Sequence, residues 1–350
     1  MAERRRARFG GWERVTIRDD AGRMREAIAP VIVSASRSTD IPAFYGDWFI
    51  RRLEAGHAAW VNPWNGRSTY VSFAKTRAIV FWSKNPRPLL RHLPRLDALG
   101  YSYSFLYTLN DYRQENLEPN LPPLAERERT FIDLSSRLGP RRVSWRYDPL
   151  LLSDALSVDD LLSRIESIGS RLHRYTRRLI ISFVDIARYP KVRSRLAAGG
   201  HPGVREFSET EIDAFCSGLS DIAAGWDLEV SACGERRDLS QYGIRPGQCI
   251  SAARMREAFP GDETLLSFLA PPPGTSGVTG EAFLRDPGQR KECGCIASKD
   301  IGRYATCMHL CAYCYANATE ATVVKNWTRH RRMMESGIVP ESIAGTGEEI

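Results

Sequence analysis

Six short apolar runs, separated by stretches of helical periodicity, constrain the fold of this chain more than any other feature. The runs are AIAPVIVSASRSTD, AIVFWSKNP, YSYSFLYTLNDY, RRVSWRYDPLL, RLIISFVDIAR and WDLEVSACGE. Stretches such as LAERERTFIDLSSRLG and SVDDLLSRIESIGSRL repeat apolar residues with the period of an α-helix. A strand followed by a helix, repeated in this way, is typical of parallel α/β structures, whose strands are apolar on both faces. The pattern predicts a partial or complete (β/α) barrel with parallel strands.

Polar side chains collect at the C-terminal end of each predicted strand, which is where barrels build their active sites. Turn residues and helix caps also favour Asp, Ser and Asn, so one such end alone would indicate nothing. A succession of them favours a polar mouth. These residues are Ser34, Arg37 and Asp40; Lys84 and Asn85; Thr108, Asn110 and Asp111; Arg146 and Asp148; Ser182 and Asp185; and Ser231 and Cys233.

The same pattern divides the chain into four segments. Residues 1–27 are charged, which predicts a weakly ordered extension. Residues 28–258 form the predicted barrel core, and residues 259–292, which include APPPGTSGVTG, are predicted to be a long loop. Residues 293–350 contain a cysteine-rich segment, predicted to bind a cluster, and the predicted C-terminal helix ATEATVVKNWTRHRRMMESG.

Composition and charge restrict the location and the partners of the protein. With 350 residues and 43% hydrophobic content, the chain can bury a full core. We expect a cytoplasmic protein without a membrane span, because no apolar run reaches about 18 residues and the basic N-terminus lacks the apolar region of a secretory signal. The net charge of +7 permits an acidic partner such as nucleic acid, but a solvated arginine-rich surface explains it equally well.

Three cysteines, Cys307, Cys311 and Cys314, follow one another with the spacing C-x3-C-x2-C in CMHLCAYCYAN. In a reducing compartment, clustered cysteines bind metals more often than they form disulfides. Three thiolates at this spacing can hold three irons of a four-iron, four-sulfur cluster and leave the fourth iron open to a small molecule. The alternative is a structural zinc site, for which Cys293 and Cys295 would join Cys311 and Cys314.

A second metal site is suggested by Cys233, Cys249, Cys293 and Cys295. They come from a strand end, a loop and one short turn, and together can hold an auxiliary four-iron cluster or a zinc ion. If the fold does not bring them together, they are reduced thiols that line a pocket. Cys216 lies in the apolar stripe of a predicted helix, which is typical of a buried hydrophobic residue.

Strand-end residues also provide candidates for catalysis and for cofactor binding. Arg37, Asp40 and Asp148 are the catalytic candidates, although Arg37 and Asp40 can equally form a structural ion pair. A cofactor with a carboxylate and a ribose needs a cation and hydrogen-bonding groups. The residues that can supply them are Lys84, Asn85, Arg146 and Ser182. We interpret His309 as a hydrogen-bond donor that shapes the cysteine loop, since a fourth ligand would block the open iron.

The cysteine triad, with Tyr313 just before its last cysteine, resembles the motif of the radical S-adenosylmethionine superfamily. Over roughly residues 30–320 the chain also resembles the bacterial domain-of-unknown-function family 1848, through SASRSTDIPAFYGDWF, FWSKNP, WRYDPLL, ISFVDIARYPK and CGCIASKDIGRYATCMHLCAYCYAN. The resemblance implies a four-iron cluster whose open iron chelates S-adenosylmethionine, with Tyr313 against the adenine. It further implies release of a 5′-deoxyadenosyl radical that abstracts hydrogen from a small-molecule substrate, with electrons from a donor such as flavodoxin or ferredoxin.

Two departures from the superfamily pattern affect this interpretation. Typical members carry the triad after the first barrel strand, whereas here it follows the last predicted strand; first and last strands are neighbours in a closed barrel, so the cluster would still reach the mouth. A Gly-Gly-Glu-like segment for the methionyl amino group is not evident, so strand ends must supply its contacts. The sequence predicts a radical enzyme of unknown reaction. The alternative is a non-catalytic or hydrolytic α/β protein with a structural zinc site.

Overall fold

The computed structural model describes residues 9–201, 203–271 and 282–346. The strands are β1 (Glu13–Arg18), β2 (Met24–Ala29), β3 (Ile32–Ala35), β4 (His57–Val61), β5 (Ser68–Ser72), β6 (Ala78–Ser83), β7 (Ser102–Thr108), β8 (Val143–Leu150), β9 (Arg178–Phe183), β10 (Glu229–Cys233), β11 (Arg245–Gly247) and β12 (Lys299–Asp300). The α-helices are α1 (Ile41–Phe44), α2 (Gly46–Ala55), α3 (Leu93–Ala98), α4 (Leu124–Leu138), α5 (Val158–Leu172), α6 (Pro190–Ala198), α7 (Glu209–Ala223), α8 (Ala252–Ala258), α9 (Glu263–Leu269) and α10 (Glu320–Glu335).

Eight strands form one parallel sheet, in the order β11-β10-β9-β8-β7-β6-β3-β12. Its six inner strands are the six apolar runs of the sequence, so the predicted α/β class with parallel strands is confirmed. Over the residues that the structure describes, β11 and β12 are the two edges of the sheet. The architecture is that of a partial (β/α) barrel.

The two faces of this sheet pack against different parts of the chain, because successive side chains of a strand point in opposite directions. Phe81 and Trp145 lie on the face that packs against helices, including α4 and α5, in the larger hydrophobic core. Ile32 and Ile180 lie on the other face, which is covered by apolar residues from between positions 249 and 296. Several of the cysteines are therefore carried by the segment that covers this second face.

A smaller sheet, in the order β1-β2-β5-β4, corrects the prediction that residues 1–27 are a weakly ordered extension. Residues 13–29 instead form an antiparallel hairpin, and β2 then pairs with β5 in parallel. Val15 and Ile17 pack from the hairpin onto Tyr70, so every second residue of β1 supplies apolar contact. This alternation is short and lies among charged residues, which hides it in the sequence. The part of the predicted extension at residues 1–8 lies outside the described residues.

The predicted long loop at residues 259–292 also needs a correction, because it contains α9. Asp262 caps this helix, and its carboxylate also accepts hydrogen bonds from Arg77, at 3.1 Å, and from Ser102, at 2.8 Å. Residues 272–281 of that prediction lie outside the described residues. The predicted C-terminal helix is present as α10. No helix in the described ranges is long and apolar enough to cross a membrane.

The last strand, β12, brings the C-terminal segment to the first strand of the large sheet. It pairs with β3 in parallel, with Lys299 opposite Val33. Just beyond the pairing, an added Cβ at Gly302 would come within 1.8 Å of Ser36 Oγ, so only glycine fits this approach. The chain that follows β12 therefore starts at the C-terminal ends of the parallel strands, where a barrel has its mouth.

Candidate functional site

The cysteine triad lies in the loop that follows β12. Cys311 is buried, and Cys307 and Cys314 are half-buried. Burial raises the pKa of Cys307 and of Cys311 above that of an ordinary thiol, and the neighbouring thiols of the triad add to the effect. The Cys307 and Cys311 thiols are thus protonated at neutral pH in the metal-free chain. A metal or a cluster would have to displace these protons on binding.

The spacing of the triad sulfurs differs from that of ligands around one ion. Three possible metal ligands, from His, Cys, Asp or Glu, can hold one ion when their ligand atoms all lie within 4.8 Å of one another. Within the described residues, one group meets this criterion, and it consists of Asp20, His57 and Glu341. At least one pair of the triad sulfurs is therefore more than 4.8 Å apart, whereas the sulfurs of a tetrahedral zinc site are all about 3.8 Å apart for Zn–S bonds of about 2.3 Å. Wider spacing suits thiolates that each bind a different iron.

His309, within the triad loop, is fixed by Asp40, which is also the N-cap of α1. The two side chains are buried, and His309 Nε2 donates to Asp40 Oδ2 over 2.8 Å. The same carboxylate accepts hydrogen bonds from the Ser83 hydroxyl and from the Lys84 backbone, each at 2.7 Å. Asp40 thus connects the loops after β3 and β6 to the triad loop. The other ring nitrogen, His309 Nδ1, is buried and has no hydrogen-bond partner.

Arg195, on α6, also holds the triad loop. Its guanidinium donates to the carbonyl oxygens of Ala312, at 2.9 Å, and Asn317, at 2.7 Å, and also to that of Cys314. With the Ala318 carbonyl, at 3.5 Å, four carbonyl groups of one loop share a single cation. The arrangement fixes the backbone on both sides of Cys314 without using its sulfur.

Tyr313 and Lys84, both predicted to contact a cofactor, meet at a buried carboxylate that the sequence did not indicate. Lys84 Nζ donates to Glu118 Oε1 over 2.7 Å and to the Tyr313 hydroxyl over 3.0 Å, and the Tyr313 hydroxyl donates to Glu118. Burial raises the pKa of Glu118, but the charges of Lys84 and Arg127 outweigh it, so the pKa is lowered overall. The Asn110 amide joins this group at 3.3 Å from the Tyr313 oxygen.

A second polar group lies beside the first, around the indole of Trp82. Arg37 and Arg146 both place their guanidinium groups against this ring, at 5.1 and 4.8 Å from its centre. Asp148 accepts hydrogen bonds from Arg146 and from Ser182. Asp148 N donates to the Asn110 side chain, 2.9 Å away, so the two polar groups are continuous.

The three predicted catalytic candidates, Asp40, Asp148 and Arg37, make different kinds of contact in the structure. Asp40 and Asp148 each accept several hydrogen bonds from neighbouring side chains, whereas Arg37 stacks on Trp82 rather than pairing with Asp40. Asn85 lies in the turn after β6, where its backbone amide donates to Ser83 Oγ over 3.0 Å. Glu118 and Arg195 were missed, because no local pattern marks a loop residue whose partners lie far along the chain.

Four of the other five cysteines converge at the same end of the sheet, and the fifth, Cys216, lies in α7. Cys233 and Cys249 have their sulfurs 3.3 Å apart. Cys293 hydrogen-bonds to Cys233 and to Cys295, and Cys295 in turn hydrogen-bonds to Cys249, so the four thiols form a closed ring. These hydrogen bonds lower the pKa of Cys293, which shares protons with its neighbours. Three of the four residues are buried, and Cys233 borders a cavity of about 490 Å³.

Comparison with known proteins identifies one family. The model of the family described as Domain of unknown function (DUF1848) matches residues 32–316, which include the main sheet and the triad. No curated protein matches the chain. No solved structure matches it either.

Proposed function

The chain belongs to the family described as Domain of unknown function (DUF1848), and we propose that it is a radical S-adenosylmethionine-type iron–sulfur enzyme that abstracts hydrogen from a small-molecule substrate. The observation that carries this proposal is the position of Cys307, Cys311 and Cys314. They lie in one loop, with Cys311 buried and the other two half-buried, and this loop follows β12 at the mouth of the parallel strands.

The ligand set around the triad supports a cluster with one open iron. Three thiolates suit iron–sulfur chemistry, and at least one pair of their sulfurs is farther apart than the sulfurs around one zinc ion. The four cysteines of the zinc alternative, Cys293, Cys295, Cys311 and Cys314, likewise include no three sulfurs within 4.8 Å of one another among the described residues. Nε2 of His309, the histidine of the loop, is already bonded to Asp40.

Unpaired polar atoms near the triad also fit a polar ligand. Thr39 Oγ1, His309 Nδ1 and Asn317 Oδ1 are buried and make no hydrogen bond to the described residues. Thr39 is next to Asp40, which holds His309, and Asn317 binds the Cys307 carbonyl over 2.9 Å. Buried polar atoms without partners are rare in folded proteins, so such a group indicates a place where a ligand completes the hydrogen bonding.

When bound, the cluster and S-adenosylmethionine would supply an electron and a carbon radical for hydrogen abstraction. The residues of this chain have other tasks. Cys307, Cys311 and Cys314 would hold the cluster, and Asp40 with Arg195 keeps their loop in place. Arg37 and Arg146 offer cationic donors for a carboxylate at the mouth.

The test is anaerobic purification of the wild-type protein and of Cys311→Ala. We expect a brown wild-type protein that absorbs near about 400 nm and cleaves S-adenosylmethionine when reduced. Cys311→Ala should lose the cleavage and about four irons per chain. Cys216→Ala, which changes a buried cysteine of α7 far along the chain from the triad, is the matched control and should keep both.

The contrary outcome is equally clear. A colourless wild-type protein with stoichiometric zinc would decide for the structural zinc alternative. Iron that is unchanged by Cys311→Ala, together with full cleavage, would remove the triad from the proposal. Circular dichroism of both variants checks that the sheet remains folded.

A further inference from the structure

Three arginine side chains surround the ring formed by Cys233, Cys249, Cys293 and Cys295. Neutral thiols carry no charge that such cations would balance. The charge of Arg37 acts on Cys293 and Cys295, and that of Arg178 acts on Cys249 and Cys295. Arg146 faces Cys249 as well. These three arginines, from β8, β9 and the loop after β3, thus converge on one group of thiols.

Each of the three guanidinium groups keeps a buried nitrogen that has no hydrogen-bond partner among the described residues. These atoms are Arg37 Nη2, Arg146 Nε and Arg178 Nε. Part of the charge is already balanced, since Arg146 pairs with Asp148 and Arg178 Nε lies 4.0 Å from Glu229. Buried cations and unpaired donors are costly, so the site lacks an anion that would accept from them.

A metal centre with four cysteine ligands is such an anion. Four thiolates around a four-iron cluster or a zinc ion leave about two negative charges, and the sulfurs remain hydrogen-bond acceptors. The same thiols in the protonated state carry no charge and would accept no charge-assisted hydrogen bond from the three unpaired guanidinium nitrogens. The positive charge of the arginines is therefore balanced better by four metal-bound thiolates than by four protonated thiols.

We propose that Cys233, Cys249, Cys293 and Cys295 bind an auxiliary four-iron, four-sulfur cluster, separate from the one assigned to the triad. The convergence of four thiols from three loops and the cage of Arg37, Arg146 and Arg178 carry the assignment. The Cys233 and Cys249 sulfurs, 3.3 Å apart, would have to separate to bind different irons, whereas a zinc ion holds its sulfurs about 3.8 Å apart, so the metal counts below decide between iron and zinc. This assignment does not depend on the function of the triad.

Iron and zinc counts of anaerobically reconstituted protein test the proposal. We expect about eight irons per wild-type chain and no zinc, since each cluster holds about four. The double variant Cys233→Ser with Cys249→Ser should retain about four irons, and Cys311→Ala should also retain about four. Cys216→Ala is again the matched control and should retain about eight.

The outcomes separate the two clusters. About four irons in the wild type that the double variant retains, or one zinc that the double variant loses, overturns the auxiliary cluster whatever the triad does. Unchanged iron in Cys311→Ala overturns the triad assignment alone. If the double variant fails to fold, the iron count of Cys311→Ala still tests the auxiliary cluster, because about four irons support it and a protein without iron overturns it.

The arginine cage gives a second readout. Removing a buried cation makes it harder to add an electron to a neighbouring cluster, so Arg37→Gln should lower the reduction potential of one cluster and leave the iron count unchanged. Redox titration followed by electron paramagnetic resonance in the Cys311→Ala background, where only the auxiliary cluster remains, measures this shift. An unaltered reduction potential would show that the charge of Arg37 does not act on the auxiliary cluster.

Discussion

At the scale of single residues, the mouth of the sheet is held by a few buried charges whose partners come from distant loops. Lys84 is the clearest case, because its ammonium group is the nearest cation to the buried Glu118 carboxylate. The Glu118 side chain is 3% exposed, so it has almost no contact with water that could replace the lysine. Removing one member of such a pair leaves an uncompensated buried charge.

Lys84→Met should therefore destabilise the protein by about 3–5 kcal/mol, as measured by urea unfolding. Lys75→Met is the matched control, since Lys75 pairs with Glu13 on the surface and its loss should cost less than about 1 kcal/mol. Adding Glu118→Gln to Lys84→Met should restore part of the lost stability. Equal effects of the two lysine substitutions would show that the buried pair has no special role.

At the scale of elements, the strand ends alone do not fix the triad loop, and α6 completes its support. Arg195 binds four carbonyl groups of this loop, including that of Cys314. The side chain of Arg193, on the same helix, is exposed. The two arginines thus differ in contact while sharing a helix.

Arg195→Met should weaken the retention of metal by the triad about 10- to 100-fold, as changes in outer-shell partners commonly do, without unfolding the sheet. The measurement is the rate at which a chelator removes iron from the reconstituted protein. Arg193→Met should lose iron at the wild-type rate. Identical rates for all three proteins would contradict a supporting role for Arg195.

The sequence predicted the elements better than it predicted their long-range contacts. The six inner strands follow from local apolar runs, and α4 and α5 follow from their periodicity. The hairpin of β1 and β2 was missed, since it has few apolar residues and these are partly buried only through packing on the cluster that contains Tyr70. Glu118 was missed for the same reason, because a carboxylate in a loop reveals neither its burial nor its partner.

At the scale of the whole molecule, the residues that follow α10 connect the small sheet to the rest of the protein. Glu341 accepts hydrogen bonds from the Asp20 backbone and the Tyr70 hydroxyl, each over 2.8 Å, and lies 3.2 Å from His57 Nε2. Trp48, on α2, donates to the Pro340 carbonyl over 2.7 Å. The segment that follows the triad thus holds together elements from the first quarter of the chain.

Glu341→Gln should cost about 1.5–3 kcal/mol at neutral pH, since it weakens hydrogen bonds to a buried charge. Burial raises the pKa of Glu341, but its hydrogen bonds, led by that of His57, lower it overall from the usual 4.5. A lowered folded-state pKa stabilises the protein above the unfolded value, and this contribution is lost as the pH falls through the folded pKa.

The difference in unfolding free energy between wild type and Glu341→Gln should therefore shrink below about pH 4.5. Urea unfolding at a series of pH values measures it. Glu335→Gln, which changes an exposed carboxylate of α10, provides the matched control and should show little difference at any pH. A Glu341→Gln difference that grew on acidification would contradict the assigned direction of the pKa shift.

The pairing of β12 with β3 has a consequence for how the protein is made. A ribosome releases the chain from its N-terminus, so the six inner strands emerge before Cys293, Cys295 and the triad. The thiols that would complete both proposed metal sites thus appear after these strands and meet a sheet that is already largely present. Under our proposals, metal would therefore bind after the sheet has been synthesised and would not nucleate its folding.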